Sequence, residues 1–326
     1  MRIDLSVPKV GVELELNKLL GKGSSGSVSL IKYKGRRDGE MIYAAVKSSN
    51  VIHADSLHKE FQILSEFRGC SRIVQCYGTK VQESINNEGD VEFKIIMEYA
   101  SGGSLRNFMN RFKDMKLPDP LIRRFTRMVL EGLAIIHGHG YVHCDLKPEN
   151  ILVFPGFELK ISDFGLSKRE GDTNWWTLQY PFAGTPIYMS PQSVSNGETR
   201  RGLDLWSLGC VVLEMYTGKR SWWGKNYDLE DLKKGYMPLI PKDLPCDAKL
   251  FLMTCFAAET DKRKNAFTLL RHCYLRGDVN KITEPPLVKS NNSNDITLEL
   301  EKIELRLSQL RCNIGGGETS GELKSS

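Results

Sequence analysis

The chain has 326 residues, 40% hydrophobic and 26% charged, ordinary values for a soluble globular protein. Its net charge of +5 is scattered through "KGRR", "IRRF" and "ETRR", which argues against a nucleic-acid surface, and its eight cysteines form no Cys-x-x-Cys pair, which argues against zinc. A single core stops growing at about 250–300 residues, so two lobes or two small domains are expected.

The first third reads as strands and turns. Val12–Gly21, Ser27–Tyr33 and Met41–Ser48 are separated by glycine-rich or charged turns. The period then changes, because Leu57, Phe61 and Leu64 recur at helical spacing, with Asp55 or Ser56 placed to cap. Two more strands, Ile73–Lys80 and Phe93–Glu98, flank the polar turn "NNEGD", and Ser101–Ser104 ("SGGS") reads as a connector.

Beyond the connector the chain turns helical. Ile122, Phe125, Val129, Leu133 and Ile136 mark one buried stripe, ended by Gly138 and Gly140. "ILVF" and "LKIS" around Pro155-Gly156 predict a hairpin. "GLDLWSLGCVVLEMYTG" and "DAKLFLMTCFAAE" predict further helices, the first apolar on most sides. From about Arg276 the composition becomes tail-like, with one amphipathic stretch in which Ile296, Leu300, Ile303, Leu307 and Leu310 follow 4-3-4-3 spacing. The expected architecture is α+β, a β-rich lobe joined to a larger helical lobe. "MRIDLSVPKVG" lacks a signal-like core and no window approaches a membrane span, so no membrane partner and a cytoplasmic or nuclear location are expected.

Four short stretches carry chemistry. "GKGSSGSV" sets Gly21, Gly23 and Gly26 between two strands, which fits a hairpin turn as well as a phosphate cradle. A dinucleotide fingerprint would need a helix next, and "SVSLIKY" alternates as a strand. Lys47 ends the third strand, where it either points into water or pairs with Glu60 of the next helix. "HCDLKPENIL" offsets Asp145 by two residues from Lys147 and by five from Asn150, aiming a base, a cation and an amide into one cleft. "ISDFG" supplies Asp163, a hard oxygen ligand suited to Mg²⁺.

In their order and spacing these stretches, with "GTPIYMSPQ" and "DLWSLG", resemble the protein kinase family. The resemblance covers Gly11–Leu275 and implies a two-lobed kinase fold. Residues 1–10 would be an extension, about 11–98 the N-lobe, 98–103 the hinge and 104–275 the C-lobe. A tail over 276–326 would include an amphipathic helix at 295–311, docked on the chain itself or on a partner. The resemblance assigns Gly21, Lys22, Gly23 and Gly26 to the loop over the ATP phosphates, with Lys47, tied to Glu60, on the α- and β-phosphates. Val28, Ala45 and Leu152 would sandwich the adenine, Met97 would be the gatekeeper, and Glu98, Tyr99 and Ala100 the hinge. Asp145 would accept the substrate hydroxyl proton, Lys147 neutralise the γ-phosphate, and Asn150 and Asp163 hold Mg²⁺. Thr185 would bond to the base, and with Lys147 it points to serine or threonine as acceptor.

Three departures stand out. Cys144 occupies the place where most relatives carry an arginine that grips a phosphate on the activation segment, so activity without strict loop phosphorylation is expected. That segment offers Ser167, Thr173, Thr177 and Tyr180, with Pro181 four residues before Thr185. Gln192 replaces a glutamate, leaving a neutral bond to Arg263. Trp175-Trp176 are expected to anchor the segment and Trp222-Trp223 to sit in the core. "VHCDLKPENIL", "GTPIYMSPQSV" and "GLDLWSLGCVVLEMYTGKRSWWGKN" together resemble plant MEKK-like MAP kinase kinase kinases, which implies MAP kinase kinases as substrates. A pseudokinase scaffold and a small-molecule kinase of the same fold are the alternatives.

Overall fold

The computed structural model describes residues 15–23, 26–34, 41–86, 88–172, 184–196, 199–222, 234–259 and 262–276. Thr173, Thr177, Tyr180, the Trp175-Trp176 pair, Trp223 and the apolar repeat of the tail lie outside them.

Period-two alternation builds the first lobe. β1 (Glu15–Gly23), β2 (Gly26–Lys34), β3 (Met41–Asn50), β4 (Cys76–Ile85) and β5 (Val91–Glu98) form one antiparallel sheet in the order β1-β2-β3-β5-β4. Ala44 and Val46 pack with Ile31 and Ile96 on one face. Ala45 and Lys47, one residue out of phase, therefore share the other face with their cross-strand partners Met97 and Ile95. The strand expected from Ile73 begins instead at Cys76 and runs on through "VQESI". Ile73 is buried in a parallel bridge to Ile161, and the later residues are mostly solvent-facing, so they lack the apolar alternation that marks a strand.

α1 (Ala54–Glu66) buries Leu57, Phe61, Ile63 and Leu64 against β4 and β5. Its expected caps do not cap. The helix grows out of a 3-10 turn, Val51–His53, whose leading Asn50 side chain accepts the His53 N–H at 3.3 Å. Asp55 lies inside the first turn, where its charge suits the helix dipole.

The second lobe contains α2 (Leu105–Met109), α3 (Asp119–Gly138), α4 (Pro191–Asn196), α5 (Gly202–Thr217), α6 (Cys246–Cys255) and α7 (Ala266–Leu269). The expected hairpin is β7 (Ile151–Phe154) paired with β8 (Glu158–Ile161), and a short ladder joins β6 (Tyr141–Val142) to β9 (Lys168–Arg169). α3 buries its predicted stripe, and Trp222 is core, as expected. α5 is buried on all sides from Gly202 to Met215 and stops at Gly218, where a Cβ would fall 1.8 Å from the Asp114 carbonyl oxygen. Among the described residues no helix is long and apolar enough to cross a membrane.

Candidate active site

A helix buried all round has no water for its polar side chains, so each must find a protein partner. On α5, Asp204, Ser207 and Glu214 do so by bonding to the His143–Cys144 loop and to Tyr188. Asp204 accepts the backbone N–H groups of His143 and Cys144 at 2.8 and 2.9 Å and the ring N–H of His137 at 2.8 Å. Burial pushes the Asp204 carboxyl up, but His137 and these donors outweigh it and hold it below its ordinary value. Ser207 donates to the Tyr188 carbonyl at 2.7 Å, and Glu214 accepts the Tyr188 hydroxyl at 2.7 Å.

Asp204 thereby fixes the loop that carries Asp145. Cys144 sits at φ 69°, a left-handed conformation that costs a non-glycine residue about 1–2 kcal/mol. Its N–H bond to Asp204 opposes that cost. Burial drives the thiol well above its ordinary pKa, so Cys144 is a neutral, inert spacer whose Sγ faces the Val142 carbonyl at 3.3 Å.

Next to it, every neighbour bonded to the Asp145 carboxylate donates. Oδ2 accepts from Lys147 Nζ at 2.7 Å and Asn150 Nδ2 at 2.9 Å; Oδ1 accepts the Thr185 N–H and hydroxyl, both at 3.0 Å. Lys147 also donates to the Thr185 hydroxyl at 2.8 Å. The residues expected at the reacting end, Asp145, Lys147, Asn150 and Thr185, are thus brought into direct contact.

Glu60 is the one carboxylate on the inner face of α1, and Lys47 meets it at 2.6 Å and Asp163 at 2.9 Å. Burial pulls Lys47 toward neutrality, but the two carboxylates prevail and hold its pKa well above that of a free lysine. Burial likewise opposes the ionised form of Asp163, and Lys47 reverses it, holding that carboxyl below its usual range. Phe164 is fully buried against Phe67 and His143, which fixes the direction of the neighbouring Asp163.

A divalent cation fits this geometry. The Asn150 carbonyl accepts the Ser162 N–H at 2.9 Å, placing Asn150 beside the residue before Asp163. Asn150 spends its side-chain N–H on Asp145, which leaves its amide oxygen without a protein partner among the described residues. The Asp163 side chain is 43% exposed, and among the described residues only its Oδ1 is engaged. One carboxylate and one amide oxygen suit Mg²⁺, which keeps its own waters and takes phosphate oxygens.

On the nucleotide side, β1 and β2 pair Gly21 with Val28, Lys22 with Ser27 and Gly23 with Gly26. A Cβ at Gly21 or Gly23 would meet no protein atom within 4 Å, so packing does not demand those glycines. Open space above them suits a ligand's close approach. Gly26 differs: at φ 144° its Cβ would lie 1.9 Å from the Ser48 carbonyl oxygen. Ala45 and Cys76 both lie opposite Met97, and Val28 lies opposite Lys47, so these residues sit on adjoining strands of the sheet. The connector is tied to β7, on which Leu152 sits, by Gly102 N–H to Val153 O at 3.0 Å and Val153 N–H to Gly103 O at 2.8 Å. The Glu98 carboxylate is occupied by Lys160 at 2.6 and 2.7 Å and the Gln75 N–H at 2.7 Å, so this side chain ties the connector to its own lobe and to β8.

Some functional residues escaped the sequence reading. Arg106 of α2 bridges Glu149 at 3.1 Å, Glu214 at 2.6 Å and the Tyr188 hydroxyl at 3.0 Å, locking the loop after Asp145 to the segment that carries Thr185. Their only signal is a charge inside an apolar run, as with Glu214 in α5. Ser167, offered above as a phosphate acceptor, is fully buried and donates its hydroxyl to the His143 carbonyl at 3.2 Å. It is a structural residue.

Gln192 does more than replace a charge. Its amide oxygen accepts from Arg263 at 2.7 Å while its N–H donates to the Ala258 carbonyl. Burial pulls Arg263 down to about 10, with no carboxylate among the causes to restore it. Gln192→Ala leaves one N–H group of the buried Arg263 unpaired, while its bonds to Ala257 and Gly202 remain and the exposed Ala258 carbonyl turns to water, a loss of roughly 2 kcal/mol. The expected outcome is a melting temperature lower by about 4–8 °C in a calorimetric scan. Gln192→Glu, which keeps one of the two bonds, should lose less; an unchanged melt in the alanine variant would remove the bridge from the account.

With this arrangement in view, the likenesses to known proteins gain a physical footing. The family model for the protein kinase domain matches residues 14–275. Mitogen-activated protein kinase kinase kinase 20 of Arabidopsis thaliana is 36% identical over 268 residues, 80% of this chain and 77% of that protein. Mitogen-activated protein kinase kinase kinases 17 and 18 of the same plant are 31% and 33% identical, over 88% and 86% of this chain and 76% and 81% of theirs. The chain belongs to the protein kinase family, as a serine/threonine kinase that uses ATP as phosphoryl donor.

Proposed function

We propose that the protein acts as a MAP kinase kinase kinase, transferring the γ-phosphate of ATP to serine or threonine on MAP kinase kinases. The carrying observation is the Asp145 carboxylate ringed by Lys147, Asn150 and Thr185. Asp145 accepts the acceptor hydroxyl's proton as that oxygen bonds to the γ-phosphorus and the bond to the ADP oxygen breaks, the electron pair leaving with ADP. Thr185 and Asn150 hold the carboxylate in line, and Lys147 offsets charge on the moving phosphoryl group. Lys47, steered by Glu60, orients the α- and β-phosphates. Asn150 and Asp163 would hold Mg²⁺, which supplies charge neutralisation on the phosphates when bound. The scaffold alternative has no observation in its favour, since Lys47, Asp145, Asn150 and Asp163 are all present. The platform "GTPIYMSPQ" speaks against a small-molecule acceptor.

A neutral thiol at Cys144 cannot grip a phosphate, and the loop before Asp145 is instead held from below by Asp204. We therefore expect phosphatase-treated protein, shown phosphate-free by mass spectrometry, to phosphorylate a catalytically inactive MAP kinase kinase at full initial rate. A specific observation favours a second reading. Lys59 of α1 has its pKa lowered by burial and then by neighbouring Lys168 of β9, and both lysines flank Cys144. Such a pair suits a loop phosphate in the arginine's stead. A lag that ends as loop phosphate accumulates would select it; no transfer to MAP kinase kinases beside robust transfer to a generic protein would retract the substrate class.

A further inference from the structure

Prolines at 238, 241 and 245 bar a helix just before α6, so "GYMPLIPKDLP" forms irregular chain and turns beside that helix. α6 buries Ala248, Phe251, Leu252 and Cys255 inward, yet Leu250 and Met253 point outward and are more than half exposed. A helix apolar on both sides is either enclosed or short of a partner. Tyr236, Met237 and Leu239 are exposed beside it, Leu239 to 78%. Between the two segments runs a groove of about 380 Å³ lined by Met237, Leu239, Ile240 and Met253, with Lys242 and Lys249 at its rim.

Charge and area together select the occupant. Lys249 Nζ donates to the Lys242 carbonyl at 2.9 Å, and among the described residues neither lysine forms an ion pair, nor does the adjacent Asp243. Asp247, the other nearby carboxylate, is spent on Arg123 at 2.6 Å. An apolar floor with unpaired cations at the rim calls for an apolar segment flanked by carboxylates. The exposed apolar side chains offer on the order of 500 Å², the size of the largest patch on a typical monomer, which is often a functional one. A stable second copy would need roughly 800 Å² per partner, so a short segment fits better. Position adds the rest: α6 runs into Ala258, whose carbonyl accepts from Gln192 on α4, the helix that follows the Thr185 segment. The groove thus stands on the element that supports the acceptor platform.

We propose that this groove is a docking site for the protein substrate, taking a short apolar segment flanked by acidic residues on the folded target kinase, apart from the residues around the acceptor hydroxyl. It rests on the reading of the targets as MAP kinase kinases. Methionine-lined walls suit such a segment because they adapt to its shape.

The test compares full-length wild type with Met253→Asp, Leu239→Asp and the double variant Lys242→Glu/Lys249→Glu. Each is assayed on a catalytically inactive MAP kinase kinase and on myelin basic protein, with binding of the former read separately by biolayer interferometry. The expected result is a tenfold or greater rise in KM and loss of binding for the folded kinase, with kcat and the myelin basic protein rate unchanged. An unchanged KM, or an equal loss on both substrates, would overturn the proposal. So would a concentration-dependent dimer in wild type that Met253→Asp dissolves, which would assign the groove to a second copy. If wild type neither binds nor phosphorylates the MAP kinase kinase while turning over myelin basic protein, the function reading has failed, and the docking proposal goes with it.

Discussion

Asp145→Asn is expected to lower turnover by about 10²–10⁴-fold while ATP affinity stays within a few-fold of wild type. The contacts of the carboxylate set both effects. All four groups on it donate: Lys147 and Asn150 to Oδ2, the Thr185 N–H and hydroxyl to Oδ1. An asparagine must turn its own N–H₂ toward one of those donor pairs, so the variant loses the proton acceptor and misaligns its neighbours together. The nucleotide side depends on it little, because Lys47 is held by Glu60 and Asp163, and Asn150 keeps its bond to the Asp145 backbone carbonyl at 2.9 Å. Steady-state kinetics on a generic protein substrate with a parallel ATP titration separates these effects. Turnover within about tenfold of wild type would remove Asp145 from the role of base.

How much of this was legible in the chain depends on how local each feature is. Lys47, Glu60, Asp145, Asn150, Asp163 and Thr185 lie in short strings whose spacing carries their identity, and the structure brings them to one cleft. The strands of the first lobe were visible wherever one face was apolar and faded in "VQESI", where the sheet faces water. Asp204 and Arg106 were silent for another reason. Their partners are 60 to 67 residues away for Asp204, and 43 and 82 for the Glu149 and Tyr188 contacts of Arg106, so only the packing of α5 and α2 reveals them. Physics still left a trace in the string "GLDLWSLG": a carboxylate inside an otherwise apolar buried helix must be held by several donors. The cysteine before Asp145 resolves in the same terms. It is shaped by the backbone bond it makes rather than by its thiol.

That bond predicts the second large effect. Asp204→Ala leaves two backbone N–H groups and the His137 ring N–H without an acceptor in the buried core, each orphan costing roughly 1–3 kcal/mol. The sum is a large fraction of a native margin of about 5–15 kcal/mol, and the melting temperature should fall by about 10 °C or more. Turnover should fall too, even at temperatures where the variant is folded. Released from Asp204, Cys144 can leave φ 69° for an ordinary conformation, and the backbone of the adjacent Asp145 turns with it. Asp204→Asn, which retains one side-chain oxygen, should fall between the two in both measurements. The pH dependence carries the same sign: the depressed carboxyl stabilises the fold above the ordinary aspartate pKa and ceases to do so as pH falls through its lower folded value. In the alanine variant that part of the acid sensitivity disappears. Thermal melts across acidic pH, paired with initial rates at low temperature, decide it. A melting temperature within about 2 °C of wild type, or normal turnover, would mean that α5 does not hold the catalytic loop.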